Sequence, residues 1–360
     1  MSHKKKWILF VIIDLVCFAL IGFYVCAVAF NFFPDKNEIL DPVALRTPAP
    51  VVAAPEQTPD GTEEPEDFTE DPDSTIDPNS TPVPATTIVL PQPGELLAGL
   101  YPEKFLAEGE EIIDTETLYR SQSISVEVTY AEQGKIKYQV ADIYIKNIKN
   151  LRSHAVTTNA QKDQTPDFAR KVSAVLATNA DYYLHAKENK HGWFVRDSLE
   201  FARYERIKAD LCVIYYDGTM ETFDCKQPID VDAIYAKLPW QIFCFGPELL
   251  NADGSAKSSF VAKKPNPRTV IGYYEPGHYA LIVVQGTRPV RNADGKTIHS
   301  RGPSAGMTLL ELSQLCNDLG MKVAYNLDGG GSSTMMFHGN AFGHNSRETS
   351  DIVYIGELTE

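Results

Sequence analysis

Apolar and polar residues alternate along several stretches of this chain. From Ser123 to Tyr130 the apolar positions are Ile124, Val126, Val128 and Tyr130, the period of a half-buried strand. Gly134 interrupts, and a second alternation through Tyr138, Val140, Ile143 and Ile145 runs from Ile136 to Ile148, which predicts an antiparallel pair. Thr165-Pro166 predicts the start of a short helix running through Ala169, and Val172 to Ala177 reads as a buried strand. Leu211 to Cys225 reads as a hairpin around Asp217-Gly218. The apolar run from Trp240 to Leu250 breaks at Gly246-Pro247. Two further strands, 266–272 and 278–284, are joined through Glu275-Pro276-Gly277. Thr308 to Glu311 is a capping box, and Leu309, Leu312, Cys316 and Leu319 share one helical face up to a stop at Gly320. Ile352 to Ile355 is expected to close the sheet. The expectation is one α+β domain over residues 94–360, with a mixed, largely antiparallel sheet flanked by helices.

The first third of the chain follows another pattern. Residues 7–33 are almost wholly apolar, broken by Asp14 and preceded by Lys4, Lys5 and Lys6. That length and flanking charge predict a transmembrane signal anchor, with residues 1–6 cytoplasmic and the C-terminal domain extracellular. Ala27-Val28-Ala29 would instead suit a cleaved signal peptide. Residues 34–93 are rich in Pro, Thr, Asp and Glu and nearly lack aromatics, so they are expected to form a disordered linker. This segment holds thirteen acidic residues against Lys36 and Arg46, which is most of the net charge of −15. No basic stripe appears, and nucleic acid is excluded as a partner.

Of the six cysteines, Cys17 and Cys26 lie in the apolar segment. Cys212, Cys225, Cys244 and Cys316 show no paired metal-ligand spacing. A two-residue turn at Asp217-Gly218 would set Cys212 and Cys225 diagonally on one face, within reach of a disulfide, although buried thiols are the expected state.

The densest chemistry is at Asn326-Leu327-Asp328-Gly329-Gly330-Gly331-Ser332-Ser333-Thr334, between the apolar runs 323–325 and 335–337. Three glycines let a ligand approach main-chain N–H groups, with a carboxylate on one side and hydroxyls on the other. A hairpin loop with Asp328 capping a turn explains only part of this composition. A second polar cluster, Asn179 and Asp181, falls at the end of a predicted strand. Arg268 stands at a strand entrance and Arg288 after a strand exit, where each is either a solvated end or a fork for phosphate or carboxylate.

Five ordered blocks share a further likeness: 177–183 (ATNADYY), 245–247 (FGP), 266–272 (NPRTVIG), 306–312 (GMTLLEL) and 324–335 (AYNLDGGGSSTM). Together the chain resembles the phosphodiester glycosidase family over residues 140–358. The resemblance implies a hydrolase that releases a sugar from a sugar-1-phosphodiester, acting on a glycosyl-phosphate or phosphoglycan without a cofactor or metal. It implies Asp328 and Asp181 as carboxylates for the anomeric centre, and Arg268, Arg288 and the N–H groups of Gly329, Gly330, Gly331 and Ser332 for the phosphate. Asn179, Asn326, Ser332, Ser333 and Thr334 would meet the remaining substrate groups. Two departures stand out: Ala180 where many relatives have Gly, and Gln285 where an Asp is usual. Gln285 favours an alternative, a non-catalytic module that binds anionic glycans in exopolysaccharide assembly. A metal phosphoesterase built on Asp181, Asp328 and His338 is a third reading.

Overall fold

The computed structural model describes residues 97, 99–286, 290–291, 297–298, 305–343 and 346–358. The expected membrane anchor, the linker, Cys17, Cys26 and Arg288 lie outside these residues. Among the described residues no helix is long and apolar enough to cross a membrane.

The chain opens with a meander of β1 (Ile113–Asp114), β2 (Leu118–Arg120), β3 (Ile124–Gln133) and β4 (Ile136–Ile145). β5 (Leu151–Ala155) leads through α1 (Thr165–Lys171) to β6 (Leu176–Asn179) and α2 (Tyr183–Glu188). Two hairpins follow, β7 (Trp193–Arg196) with β8 (Leu199–Arg203), and β9 (Leu211–Tyr215) with β10 (Met220–Phe223). Next come α3 (Val231–Ala236), β11 (Pro239–Cys244), β12 (Arg268–Glu275) and β13 (His278–Val284). A short pair, β14 (Val290–Arg291) and β15 (Thr297–Ile298), precedes α4 (Leu309–Asp318) and β16 (Val323–Asn326). β17 (Thr334–Phe337), β18 (Asn340–Gly343) and β19 (Asp351–Ile355) complete the order.

Apart from the β14-β15 pair, the strands form three sheets, where the sequence suggested one. One has the order β1-β2-β3-β4-β13-β12-β16, the second β10-β9-β11-β7-β8, and the third β18-β17-β6-β19-β5. Every pairing between these strands is antiparallel, so the expected mixed sheet is corrected to an antiparallel set. β19 lies between β6 and β5 rather than closing an edge.

Alternation decides which core each strand serves. On β12 and β13, Ile271, Leu281 and Val283 face a central core shared with Val126, Ile143 and Tyr325. Their neighbours Val270, Ala280, Ile282 and Val284 face the opposite layer, where Leu309, Leu312 and Cys316 of α4 cover them. The Thr308–Glu311 capping box forms as expected. Each such aliphatic side chain contributes about 1.5–3 kcal/mol on full burial.

The β9–β10 connection changes the cysteine expectation. Its register pairs Cys212 with Thr222, one residue away from a two-residue turn at Asp217-Gly218. A one-residue shift exchanges the faces of a strand. Cys212 therefore points into the central core, whereas Cys225 lies beyond the end of β10, and all four described cysteines are free thiols.

Candidate active site

The glycine-rich elbow carries the chain from the edge strand of one sheet into another. It leaves β16 at Asn326 and enters β17 at Thr334. Three main-chain bonds seat it: Leu327 N–H donates to Thr269 O at 2.8 Å, Gly330 N–H to Pro267 O at 3.0 Å and Asp328 N–H to Ala180 O at 3.1 Å. Gly329 is required by this approach, because a Cβ there would stand 2.7 Å from Pro267 O. Gly330 has φ +69°, a left-handed conformation that glycine adopts at no steric cost.

The two asparagines brace this junction from inside. Asn179 is fully buried; its Nδ2 donates to Asp328 O at 2.7 Å, and its Oδ1 accepts from Thr269 Oγ1 at 2.8 Å and Thr334 N at 3.2 Å. Asn326 Nδ2 donates to Gly246 O at 2.7 Å, and its main-chain N–H donates to Pro247 O at 3.1 Å. Met307 exchanges main-chain bonds with Asn266. All five sequence blocks thus converge on the elbow, where both asparagines brace the main chain and Asn326 Oδ1 is buried without a partner.

Asp328 is the carboxylate the elbow presents. Its Oδ1 accepts from Gly329 N at 2.9 Å and its Oδ2 from Ser332 Oγ at 2.7 Å. Arg347 Nη2 also donates to Oδ2, and reaches Ser332 Oγ at 3.0 Å and Gly329 O at 3.1 Å. The Arg347 side chain is 45% exposed and its guanidinium lies 5.3 Å from the centre of the Tyr182 ring. Sequence reasoning missed Arg347, which sits in a polar connector with no periodicity to mark it. Its segment is held by Gly331 O, which accepts from Ser346 N and Arg347 N.

Asp181 takes a different place from the one expected. It is 2% exposed; Oδ1 accepts from Arg196 Nη2 at 2.5 Å and Oδ2 from Cys244 N at 2.8 Å. The same Arg196 nitrogen donates to Asp351 Oδ2 at 2.8 Å, making a buried triad beneath the elbow. Burial works against the Arg196 charge, but the two carboxylates hold its pKa above the ordinary value. Burial, and then the neighbouring Asp181 charge, push the Asp351 carboxyl up to about 8. Both Asp181 oxygens are thus committed to partners inside the fold.

Asp351 Oδ1 accepts from Tyr182 N at 3.0 Å. Tyr182 itself is left-handed, φ +56°, a conformation that costs a residue with a Cβ about 1–2 kcal/mol. The triad therefore anchors the strained turn on which the Arg347 guanidinium rests.

Arg268 is also buried, 8% exposed, with Nε donating to Met307 O and Nη2 to Lys264 O, each at 3.1 Å. Desolvation lowers its pKa. Of the expected main-chain donors, Gly329 N–H is spent on Asp328 and Gly330 N–H on Pro267. Two of the main-chain donors named from sequence and two of the Arg268 nitrogens are thus engaged within the fold. Ser332 serves Asp328; Ser333 Oγ is buried without a partner; Thr334 lies fully buried at the start of β17. His338 pairs with Asp114 at 2.8 Å, in the turn beyond β17, and joins neither Asp181 nor Asp328.

With this geometry in view, the fold is that of a solved glycosidase catalytic domain. The zebrafish N-acetylglucosamine-1-phosphodiester alpha-N-acetylglucosaminidase catalytic domain, auto-inhibited by its pro-peptide, superposes with a TM-score of 0.50 at 16% identity, over 69% of this chain and 88% of that one. The sequence profile of the phosphodiester glycosidase family matches residues 172–355, and the chain belongs to that family of hydrolases. It is also 25% identical over 229 residues to the SPbeta prophage-derived uncharacterized protein YomE of Bacillus subtilis (strain 168). That match covers 61% of this chain, which spans 33% of the relative's length.

Proposed function

We propose that this chain hydrolyses a glycosyl phosphodiester of an envelope or extracellular glycan, with Asp328 as the carboxylate at the anomeric carbon and Arg347 as the phosphate anchor. The observation that carries this reading is the Asp328–Arg347 pair itself: a carboxylate fixed by three donors, bound to a guanidinium that remains half exposed. Water adds its oxygen to the anomeric carbon, the C–O bond to phosphate breaks, and its electron pair stays on the departing phosphomonoester. The proton lost by water leaves to solvent or by way of Asp328. Asp328 stabilises the oxocarbenium-like transition state, and Arg347 stabilises the phosphate by charge-assisted hydrogen bonds. Phosphate leaves readily, so a strong general acid is dispensable.

The test is a panel of synthetic sugar-1-phosphodiesters, with free sugar and phosphomonoester measured in equal amounts. Saturable binding without either product would favour the anionic-glycan-binding module that Gln285 suggests. We further propose that residues 7–33 anchor the enzyme by a single membrane pass and that residues 34–93 extend the domain outside the cell. The apolar run behind three lysines and the acidic, proline-rich composition support this. Protease treatment of intact cells should release the C-terminal domain; protection of it would reverse the topology.

A further inference from the structure

Beside the Asp328–Arg347 pair lies a second cation that the reading above does not use. Lys162 follows the short 3-10 turn Asn159–Gln161, and its Nζ donates to Tyr182 Oη at 2.6 Å while standing 4.5 Å from the ring centre. The guanidinium of Arg347 rests on the same ring. The two segments run side by side, because Asp163 and Thr349 exchange main-chain bonds of 3.3 and 2.8 Å. Among the described residues no carboxylate stands in ion-pair range of Lys162, and the adjacent Asp163 is occupied by Lys171 at 2.8 Å. Tyr182 Oη accepts from Lys162, which leaves its own proton free to donate outward. Two cations and a hydroxyl donor are therefore gathered on one ring next to the catalytic carboxylate.

We propose that Lys162, Tyr182 and Arg347 form the seat of the leaving phosphate, and that Lys162 meets the second negative charge that appears there as the glycosidic bond breaks. This rests on the proposed phosphodiester hydrolysis. The substrate phosphodiester carries one negative charge, which Arg347 suffices to hold. When the bond from the anomeric carbon to the phosphate oxygen breaks, its electron pair adds a second charge, and the product is a phosphomonoester dianion. A cation whose partner charge exists only late in the reaction contributes to the transition state more than to substrate binding. Tyr182 fixes both cations, and the left-handed turn that aims it is anchored by Asp351.

The experiment uses the full-length protein with Lys162→Met, Lys162→Arg and Tyr182→Phe, each confirmed folded by thermal melting. On a sugar-1-phosphodiester that the wild type cleaves, Lys162→Met should lower kcat by about tenfold or more with little change in KM, and Lys162→Arg should restore most of it. Competitive inhibition by methyl phosphate at pH 8 should weaken about tenfold in Lys162→Met and less in Tyr182→Phe. Lys162→Met with both kcat and methyl phosphate inhibition within about twofold of wild type would overturn the proposal. If the wild type cleaves no phosphodiester, the functional reading fails separately. Calorimetric titration with methyl phosphate then decides this one: binding lost in Lys162→Met upholds the anionic seat, and binding that is absent or unchanged removes it.

Discussion

Asp328 and Arg347 are joined through one guanidinium nitrogen, and that nitrogen is shared with Ser332 Oγ and Gly329 O. The carboxylate is nearly covered, the guanidinium half open. Replacing Asp328 by Asn keeps the shape but removes the charge proposed to face the anomeric carbon. Phosphodiester turnover should fall by about 10²–10⁴-fold with the melting temperature little changed. A folded Asp328→Asn protein with near wild-type turnover would remove Asp328 from the mechanism.

Arg347 is a test of geometry as well as charge. Lysine keeps the cation but offers a point charge in place of a planar fork, and cannot hold the carboxylate, the hydroxyl and the carbonyl together while facing a phosphate. Arg347→Lys should lose activity by about 10-fold or more, and Arg347→Met more still. Steady-state kinetics with both variants checks this; an Arg347→Lys protein as active as wild type would show that only charge matters, and equal loss in the two that the planar fork alone does.

How much of this was readable from the sequence depends on whether the signal is local. The β3–β4 and β12–β13 pairs were legible because alternating residues face different cores on a two-residue period, and α4 because Thr308 and Glu311 cap it within one turn. The elbow was legible because three adjacent glycines between strands have few other uses. α2 was not: it is six residues long and begins at a left-handed Tyr182 without a side-chain cap. The roles of Asp181 and Arg347 also stayed hidden. Asp181 is neutralised by Arg196 and shares it with Asp351, far along the chain, and Arg347 meets Asp328 only after β18 and its flanking loops bring it back. The β9–β10 register was missed because the connection is longer than its Asp-Gly pair suggests, and a single residue of register decides which face a cysteine takes.

Asn179 ties three segments together with one side chain: the elbow carbonyl of Asp328, the Thr269 hydroxyl and the Thr334 amide. Asn179→Ala would leave these groups buried without their partner. A loss of about 2–4 kcal/mol in unfolding free energy is expected, since each unsatisfied buried group costs about 1–3 kcal/mol and partial relaxation recovers some of it. Denaturant titration measures it, and a loss below about 0.5 kcal/mol would show that Asn179 is no brace.

Adjacent glycines in the elbow should respond differently. At Gly329 an added Cβ would meet Pro267 O at 2.7 Å, so Gly329→Ala must shift the elbow away from β12. At Gly330 nothing lies within 4 Å, and alanine meets only the penalty of φ +69°, about 1–2 kcal/mol. Gly329→Ala is expected to lose activity as well as stability, whereas Gly330→Ala should lose stability while retaining more of its turnover. Parallel melts and assays of the two variants separate these outcomes.

The buried triad makes stability depend on pH in a defined direction. Asp351 is buried beside the Asp181 charge, and its carboxyl is pushed from an ordinary value near 3.8 up to about 8. A group whose folded pKa is raised binds its proton more tightly when folded. The stability this contributes is whole below about pH 4, and is lost as the pH climbs through about 8. Asn at 351 can accept from Arg196 through its oxygen but cannot ionise, so it lacks this dependence. The unfolding free energy of wild type minus that of Asp351→Asn should therefore decline with rising pH between these limits, with a slope approaching about 1.4 kcal/mol per pH unit. Taking the difference cancels the contributions of other buried groups, such as Asp197, whose carboxyl burial raises to about 6. A difference that stays flat from pH 4 to pH 8, or rises, would mean that Asp351 is already ionised in the folded protein and that Arg196 alone outweighs both burial and the Asp181 charge.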